Sequence, residues 1–238
     1  MNMKKTKVLY QHGTLALLVP GLFAGTETLG KLLEHGDTGI GTLDGLNGEL
    51  IILDGKVYQV NATGKVNRIK KREKVPFANV HYQKDQFIDK IGPLKDEKLR
   101  SAILDKLPSQ NLFYAVRMTG EFANVKTRAV AQQKEPYPTL KQTADAQKVF
   151  EKAHVKGTLI GYYAPQLYGG VAVPGFHLHF LSKDHSFGGH VLKVDSVATK
   201  LYLQEFAQLD LHLPAKNKAF RKQKPSKDIL KDIASAEN

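Results

Sequence analysis

The feature that most limits the fold of this chain is a pair of apolar segments that meet at Asp54-Gly55. The segment before this dipeptide reads Glu-Leu-Ile-Ile-Leu at residues 49–53, and the segment after it reads Lys-Val-Tyr-Gln-Val at residues 56–60. Asp-Gly accepts the positive φ angles of a two-residue turn, and segments of this composition favour strands. The pattern predicts a β-hairpin, that is, two antiparallel strands joined by a tight turn.

Short strand signals alternate with a few helix signals along the rest of the chain. This pattern predicts an α/β protein of the α+β type, with two lobes built on mixed and antiparallel β-sheets and a few flanking helices. We expect Thr26 to cap the first helix. The predicted helices cover residues 27–35, 96–107 and 144–154, and the predicted strands cover residues 112–117, 122–128, 157–163, 176–181, 189–194 and 200–213.

Two turn signals predict internal boundaries. Thr119-Gly120 separates two of the predicted strands, which indicates another hairpin. Pro136 and Pro138 mark the best candidate for a boundary between lobes. We expect residues 1–140 to form an N-terminal lobe with a mixed sheet. Residues 141–238 should form a C-terminal antiparallel lobe that carries the histidines discussed below as candidate metal ligands. The two lobes together should form a single unit.

The composition excludes several classes of chemistry. The chain has 238 residues, 42% of them hydrophobic, and contains no cysteine. Disulfides, thiolate metal ligands and a cysteine nucleophile are therefore excluded, and a reducing compartment suits such a chain best. The apolar segment at residues 15–19 is too short for a secretion signal, and no apolar run reaches membrane-spanning length. We expect a cytoplasmic protein without a membrane partner.

The net charge of +12 raises the question of a nucleic-acid partner. Two stretches, residues 65–74 and 216–227, hold six basic residues each, and the remainder of the chain has 23 basic and 22 acidic residues. The two stretches contain one aromatic residue, Phe220, which is too few for base stacking. We expect a solvated loop and a solvated tail here, and no nucleic-acid partner.

The most specific local motif is Gly-Phe-His-Leu-His-Phe at residues 175–180. On a strand, this alternation places His177 and His179 on one face, with their Cα atoms about 6.5–7 Å apart. His190 opens the next predicted strand, and an antiparallel return would bring it back to the pair. Three imidazoles that leave an open position suit a catalytic divalent ion, most often zinc. The alternative is a merely polar hairpin face; His185, in the turn, is assigned to the surface.

Two further residues are candidates for catalysis. Strand alternation places Glu49 on the same face as Ile51 and Leu53. If this carboxyl group is buried, desolvation raises its pKa and makes it a possible proton donor or acceptor; the alternative is a strand-end residue that reaches solvent. Arg128 has the planar guanidinium that suits two-point binding of a substrate carboxylate, although an ordinary surface arginine is the alternative.

Five segments together resemble the alpha-acetolactate decarboxylase family. The resemblance extends from about residue 10 to the C-terminus, and its strongest part is the histidine motif followed by Gly-Gly-His-Val. The segments are Gly-Ile-Gly-Thr-Leu-Asp at 39–44, Gly-Glu-Leu-Ile at 48–51, Asn-Leu-Phe-Tyr-Ala-Val-Arg at 111–117, Val-Lys-Thr-Arg at 125–128, and the histidine motif at 175–180 with 188–191.

This resemblance implies a zinc-dependent, homodimeric enzyme that converts (S)-2-acetolactate to (R)-acetoin and carbon dioxide. It implies His177, His179 and His190 as the metal ligands. It implies catalytic roles for Glu49, Arg128 and a C-terminal glutamate that best matches Glu237, and substrate contacts for Arg128 and Thr42.

Two other functions remain open at the level of the sequence. Cupin-type metal enzymes also carry a His-x-His strand, but they usually add a glutamate a few residues later, and the nearest acid here is Asp184. A basic nucleic-acid-binding protein is the non-enzyme alternative, which salt-dependent oligonucleotide binding would reveal.

Overall fold

Strands dominate the computed structural model, which describes residues 5–224. The helices of this region are short: α1 (Leu15–Leu18), α2 (Leu29–Leu32), α3 (Asp96–Leu104), α4 (Leu140–Asp145) and α5 (Lys218–Lys222). Its strands are β1 (Val8–His12), β2 (Glu27–Thr28), β3 (Thr38–Thr42), β4 (Glu49–Leu53), β5 (Lys56–Val60), β6 (Val66–Arg68), β7 (Lys74–Val75), β8 (Phe77–His81), β9 (Gln86–Ile91), β10 (Phe113–Ala129), β11 (Lys148–Ala164), β12 (Gly175–Ser182), β13 (Gly188–Phe206) and β14 (Gln208–His212).

The first sheet has seven strands in the order β14-β1-β8-β3-β4-β5-β6. It is mixed because β1 and β14 run parallel, whereas its other pairs are antiparallel. The predicted hairpin is confirmed as β4–β5: Asp54 and Gly55 both have positive φ angles, 50° and 69°, as a two-residue turn of this type requires.

The second sheet is antiparallel, in the order β10-β11-β12-β13-β9. Because β13 also pairs with β10, the strands β10, β11, β12 and β13 form a closed ring. Large apolar side chains such as Phe122 and Phe180 fill its interior and are fully buried. The predicted α+β class is confirmed, and β2 with β7 forms a small additional sheet.

One face of the first sheet packs on the outside of the ring. Ile40, Ile51 and Tyr58 of the first sheet share an apolar cluster with Ile160 and Tyr162 of the second. The opposite face of the first sheet is covered by Leu29 and Leu32 of α2. The first sheet is therefore buried on both faces, and the residues of β4 that share a face with Ile51 point towards the second sheet.

Several sequence predictions for individual elements are wrong. Residues 148–154 form the start of β11 rather than a helix, because pairing with β10 outweighs their local helix signal. The helix of this region is α4, which begins earlier, at a capping box formed by Thr139 and Gln142. Thr119-Gly120 lies inside the continuous strand β10, where β11 and β13 supply backbone partners on both sides.

The predictions for the first helix and the last strands also need correction. Glu27 and Thr28 form β2, and the shorter helix α2 follows, with Thr28 rather than Thr26 accepting a hydrogen bond from the Lys31 N–H. The predicted strands at 189–194 and 200–213 are parts of one long strand, β13, followed by β14. Pairing of β13 along its length with β10 keeps the intervening residues extended.

The chain passes between the sheets more than once. β9 and β10 precede residue 140 and lie in the second sheet, whereas β14 follows it and lies in the first. The sheets therefore do not follow the division into residues 1–140 and 141–238, and that domain division stays a prediction. None of the helices within residues 5–224 combines the length and apolar character needed to cross a membrane.

Candidate active site

Three histidines meet on the face of the second sheet that is directed towards the first sheet. His177 and His179 alternate along β12, and the antiparallel register places His190 of β13 directly opposite His179. The three ring centroids are 5.0–5.5 Å apart, and one nitrogen from each ring lies within 4.8 Å of the others. His185 is exposed in the intervening turn, as expected.

The two glycines before His190 allow this close approach. A Cβ atom on Gly188 would lie 2.4 Å from the carbonyl oxygen of Phe180, the residue after His179. Gly189 has a φ of +130°, which side chains rarely permit, and a Cβ atom there would lie 2.6 Å from the carbonyl oxygen of Arg128. The Gly-Gly-His sequence is therefore needed to seat His190 between β12 and β10.

The orientation of His179 is fixed by a hydrogen bond between the two sheets. Its Nδ1–H donates to the carbonyl oxygen of Leu50 in β4 over 2.8 Å, and a carbonyl can only accept. Nε2 is therefore the atom with a lone pair in the neutral ring, and it is buried without a hydrogen-bond partner. The Glu49 Oε2 atom lies 3.5 Å from it. A cation or a proton between these two acceptor atoms would relieve their repulsion.

Burial keeps all three imidazoles neutral. Burial and the positive charge of Arg128 lower the pKa of His177 to about 3. The pKa values of His179 and His190 are also lowered well below the usual value, mainly by burial and further by Arg128 and the neighbouring imidazoles. A neutral imidazole is the form that binds a metal, and a backbone carbonyl on its other nitrogen is the usual orienting partner. The residues therefore fit a three-histidine metal centre.

The other candidate residues of the described region surround the triad. Arg128 of β10 lies directly opposite His190 and is 6% exposed, so the surface alternative is wrong for it. Glu49 is 8% exposed and lies directly opposite Thr42 in the β3–β4 pair, which excludes the solvent-reaching alternative. The Thr42 hydroxyl donates a hydrogen bond to the Gly48 carbonyl over 2.8 Å, so it can only accept a hydrogen bond from a ligand.

A pocket joins these groups. About 480 Å³ of space not filled by protein atoms, including open solvent, lies among its lining residues. Glu49, Arg128, His177 and His190 lie on its polar side together with Thr42. Most of the remaining lining residues are apolar and form the apolar wall: Leu15, Leu18, Leu46, Phe77, Val130, Leu140 and Ala144. The pocket combines a candidate metal centre, a cation, a carboxyl group and an apolar wall.

Comparison with known proteins identifies the family. The sequence profile described as "Alpha-acetolactate decarboxylase" matches residues 9–226. The chain belongs to the alpha-acetolactate decarboxylase family. An alpha-acetolactate decarboxylase of Brevibacillus brevis is 38% identical over 214 residues, which cover 90% of this chain and 75% of that protein. One from Lactococcus lactis subsp. cremoris is 36% identical over 92% of each chain.

Solved structures agree with this assignment. The crystal structure of alpha-acetolactate decarboxylase from Bacillus subtilis strain 168 superposes with a TM-score of 0.94 at 32% identity, covering 97% of this chain and 99% of that one. A Staphylococcus aureus protein described as similar to alpha-acetolactate decarboxylase superposes with a TM-score of 0.93 at 37% identity, covering 97% and 100%. The resemblance noted in the sequence is confirmed at the level of the whole fold.

Sequence reasoning missed the apolar side of this decarboxylase-family pocket. α1 and α4 are only four and six residues long, and they lie more than 120 residues apart in the chain. No local periodicity links such short segments to a site built on β12 and β13. Thr143 of α4 also lines the pocket, with its hydroxyl donating to the Thr139 carbonyl over 3.1 Å. Glu237 lies outside the described residues.

The close approach at Gly189 leads to a first prediction. Gly189→Ala should lower the free energy of unfolding by about 1–3 kcal/mol, because it forces a side chain into a positive-φ backbone. If the three histidines hold a metal, it should also weaken metal binding by moving His190. Gly92→Ala is the matched control, since Gly92 has open space around its Cβ position. Denaturant unfolding and zinc titration measure both effects; a Gly189→Ala protein that matches Gly92→Ala in both would contradict this account.

Proposed function

We propose that this chain decarboxylates (S)-2-acetolactate to (R)-acetoin and carbon dioxide in the pocket between the histidine triad and the apolar wall. Membership of the alpha-acetolactate decarboxylase family carries this proposal. The pocket chemistry supports it: Arg128 offers a partner for a carboxylate, Glu49 a proton-transfer group, and the leucine-rich wall a surface for the two methyl groups of the substrate.

We further propose zinc as the metal and His177, His179 and His190 as its ligands. The support is the donor set, the neutrality of the rings and the His179 Nε2 atom that faces Glu49 inside a buried site. A divalent ion held there supplies a Lewis acid that withdraws electrons from the oxygens of the substrate. The Leu50 carbonyl fixes the ring of His179 in the tautomer that such binding requires.

Arg128 is proposed to bind and orient the substrate carboxylate. Its guanidinium is buried, and two parallel hydrogen bonds from it would hold the carboxylate in one plane. The bond between this carboxylate and the neighbouring carbon then breaks, carbon dioxide leaves, and the electron pair stays on that carbon. Because the adjacent ketone delocalises this pair, the product of the step is an enediolate. The apolar wall would limit the water that can protonate it.

Glu49 is proposed to deliver the proton that completes the reaction. Its carboxyl group would transfer a proton to the carbon that lost carbon dioxide, on one face only, which gives one enantiomer of acetoin. Solvent then restores the proton of Glu49. Its 3.5 Å distance from His179 Nε2 also matches the spacing of two ligands on one ion, so the metal content of a variant separates the two roles. Glu237 is the competing proton donor implied by the resemblance.

The alternative functions have less support. The acid expected to complete a cupin-type site, Asp184, has its carboxylate hydrogen-bonded to Ser182 and Ser186 in the exposed turn. A nucleic-acid function would use the basic stretches at residues 65–74 and 216–227, and neither the first stretch nor the described part of the second, residues 216–224, lines the pocket. We therefore favour decarboxylation over both.

We also propose a homodimer in the cytoplasm. Phe87 and Ile88 are exposed on β9, an edge strand of the second sheet, and a second copy would cover such a surface. The lack of cysteine suits a reducing compartment. A mass in solution near twice 26.4 kDa would support the dimer, and fractionation of cells would test the location.

The central prediction concerns metal-dependent turnover. The purified protein should release carbon dioxide and form acetoin from racemic acetolactate, consuming one enantiomer first. A strong chelator should abolish the activity, and zinc should restore it. His177→Ala should lose the active-site zinc and the activity, whereas the exposed His185→Asn should keep both. Acetoin formation by His177→Ala at the wild-type rate would refute the assignment of the ligands.

Glu49→Gln tests the proton donor. The amide keeps the shape of the side chain but cannot give up a proton, so turnover should fall by roughly 10²- to 10⁴-fold with zinc still bound. Glu34→Gln is the exposed control. The rate and the enantiomeric purity of acetoin should be compared with those of Glu237→Gln. Loss of zinc from Glu49→Gln would make Glu49 a ligand, and wild-type rate and purity would remove it from the mechanism.

Arg128→Lys tests the binding of the carboxylate. A single ammonium group cannot reproduce two parallel hydrogen bonds, so kcat/KM should fall by about 10- to 100-fold while zinc content is unchanged. Arg72→Lys, in the exposed basic stretch, should leave the kinetics unchanged. Steady-state kinetics with acetolactate measure both variants. Equal kinetics for the two variants would show that Arg128 does not hold the substrate.

A further inference from the structure

A second group of metal-ligating side chains lies on the first sheet, and none of its members lines the active-site pocket. The group consists of His12 at the end of β1, Glu27 in β2 and His212 at the end of β14. One ligand atom from each residue lies within 4.8 Å of the others. Three separate strands therefore contribute to one compact set of nitrogen and oxygen donors.

The strand register creates this group. β1 and β14 run parallel with His12 directly beside His212, which brings the Nδ1 atoms of the two rings to 3.0 Å. Glu27 approaches from the small sheet, and its Oε2 atom lies 3.3 Å from the Nδ1 atom of His212. Two ligands at about 2.1 Å from one tetrahedral ion are about 3.4 Å apart. The spacing is thus close to that of ligands on a single ion before any movement of the side chains.

The outer contacts direct the donor atoms inward. His12 Nε2 lies 2.8 Å from the Thr26 hydroxyl; when it donates to that oxygen, Nδ1 carries the lone pair that faces His212. The other carboxylate oxygen of Glu27 accepts from the Thr28 N–H over 3.1 Å, which leaves Oε2 for the centre. This is the usual arrangement around metal-binding side chains, in which each ligand is oriented by an outer hydrogen bond.

The burial of the group leaves one route for an ion. His12 and Glu27 are buried, whereas the side chain of His212 is 46% exposed. An ion would therefore enter from the His212 side, and water would complete its coordination there. Two imidazoles and one carboxylate suit zinc and the neighbouring late transition metals rather than calcium or magnesium.

We propose that His12, Glu27 and His212 form a second site for a divalent transition-metal ion, of which zinc is the expected one. Its role is structural: it fastens β14, at the edge of the first sheet, to β1 and to the small sheet. The competing explanation is a metal-free cluster in which one proton is shared between the two imidazoles and the carboxylate.

Zinc stoichiometry distinguishes these explanations. Tag-free protein is titrated with zinc and analysed for bound metal after removal of weakly held ions. The wild type should bind two zinc ions per chain, and His212→Ala should bind one and keep its decarboxylation rate. Glu27→Gln, which preserves the hydrogen bond to Thr28, should also lose one ion. His185→Asn, which changes an exposed histidine outside both proposed sites, is the matched control and should keep two zinc ions.

A second measurement does not depend on the candidate active site. In His177→Ala, cobalt(II) should still give the visible absorption of a tetrahedral site, and adding His212→Ala should abolish it. Zinc at about 100 times its Kd should raise the Tm of His177→Ala by roughly 5–10 °C, an effect that the double variant should lack.

Two results would overturn the proposal. If the wild type binds a single ion and His212→Ala binds it equally well, the cluster is the metal-free one. If His212→Ala loses the same ion and the same activity as His177→Ala, the protein has one metal population and no separate site. Neither result depends on whether the protein is a decarboxylase, because bound zinc ions are counted whether or not carbon dioxide is released.

Discussion

The hydrogen bond between His179 Nδ1 and the Leu50 carbonyl is the contact on which the site depends. It joins β12 to β4, and therefore the ring of strands to the seven-stranded sheet, inside a buried region. It also determines which nitrogen of His179 faces the cavity. Because Leu50 directly follows Glu49, the same contact holds the carboxyl group beside that nitrogen. The packing of the two sheets, the tautomer of His179 and the position of the Glu49 carboxyl group are thus linked by one interaction.

The sequence was a good guide wherever a residue's role depends on alternation along a single strand. The shared face of His177 and His179, the β4–β5 hairpin and the shared face of Glu49 and Ile51 all follow from a period of two, and all are present in the structure. His190 was predicted from its place at the start of the next strand and Arg128 from its guanidinium chemistry, whereas Thr42 came from the family resemblance alone. The structure brings them together through the register of adjacent strands.

The errors have a common cause, which is pairing between distant segments. Residues 148–154 have a helical local pattern, but β10 offers them a continuous partner, and the tertiary contact outweighs propensity. Thr119-Gly120 has the composition of a turn, yet strands on both sides keep it extended. The apolar wall and the His12 group escaped prediction for the same reason: each combines segments whose proximity is encoded only by the whole fold.

The closure of β10, β11, β12 and β13 into a ring also bears on how a site of this kind can evolve. His179, His190 and Arg128 stand on strands that are each paired on both sides, so none of them can shift without breaking several backbone hydrogen bonds. The apolar wall is different, because the short helices α1 and α4 carry Leu15, Leu18, Leu140 and Ala144. Changes in the size of the accepted substrate are therefore expected to arise through substitutions at Leu15, Leu18 or Leu140, while the reacting groups stay fixed. On the proposed function, the fold thus places the reacting groups on paired strands and much of the substrate-contacting surface on short helices.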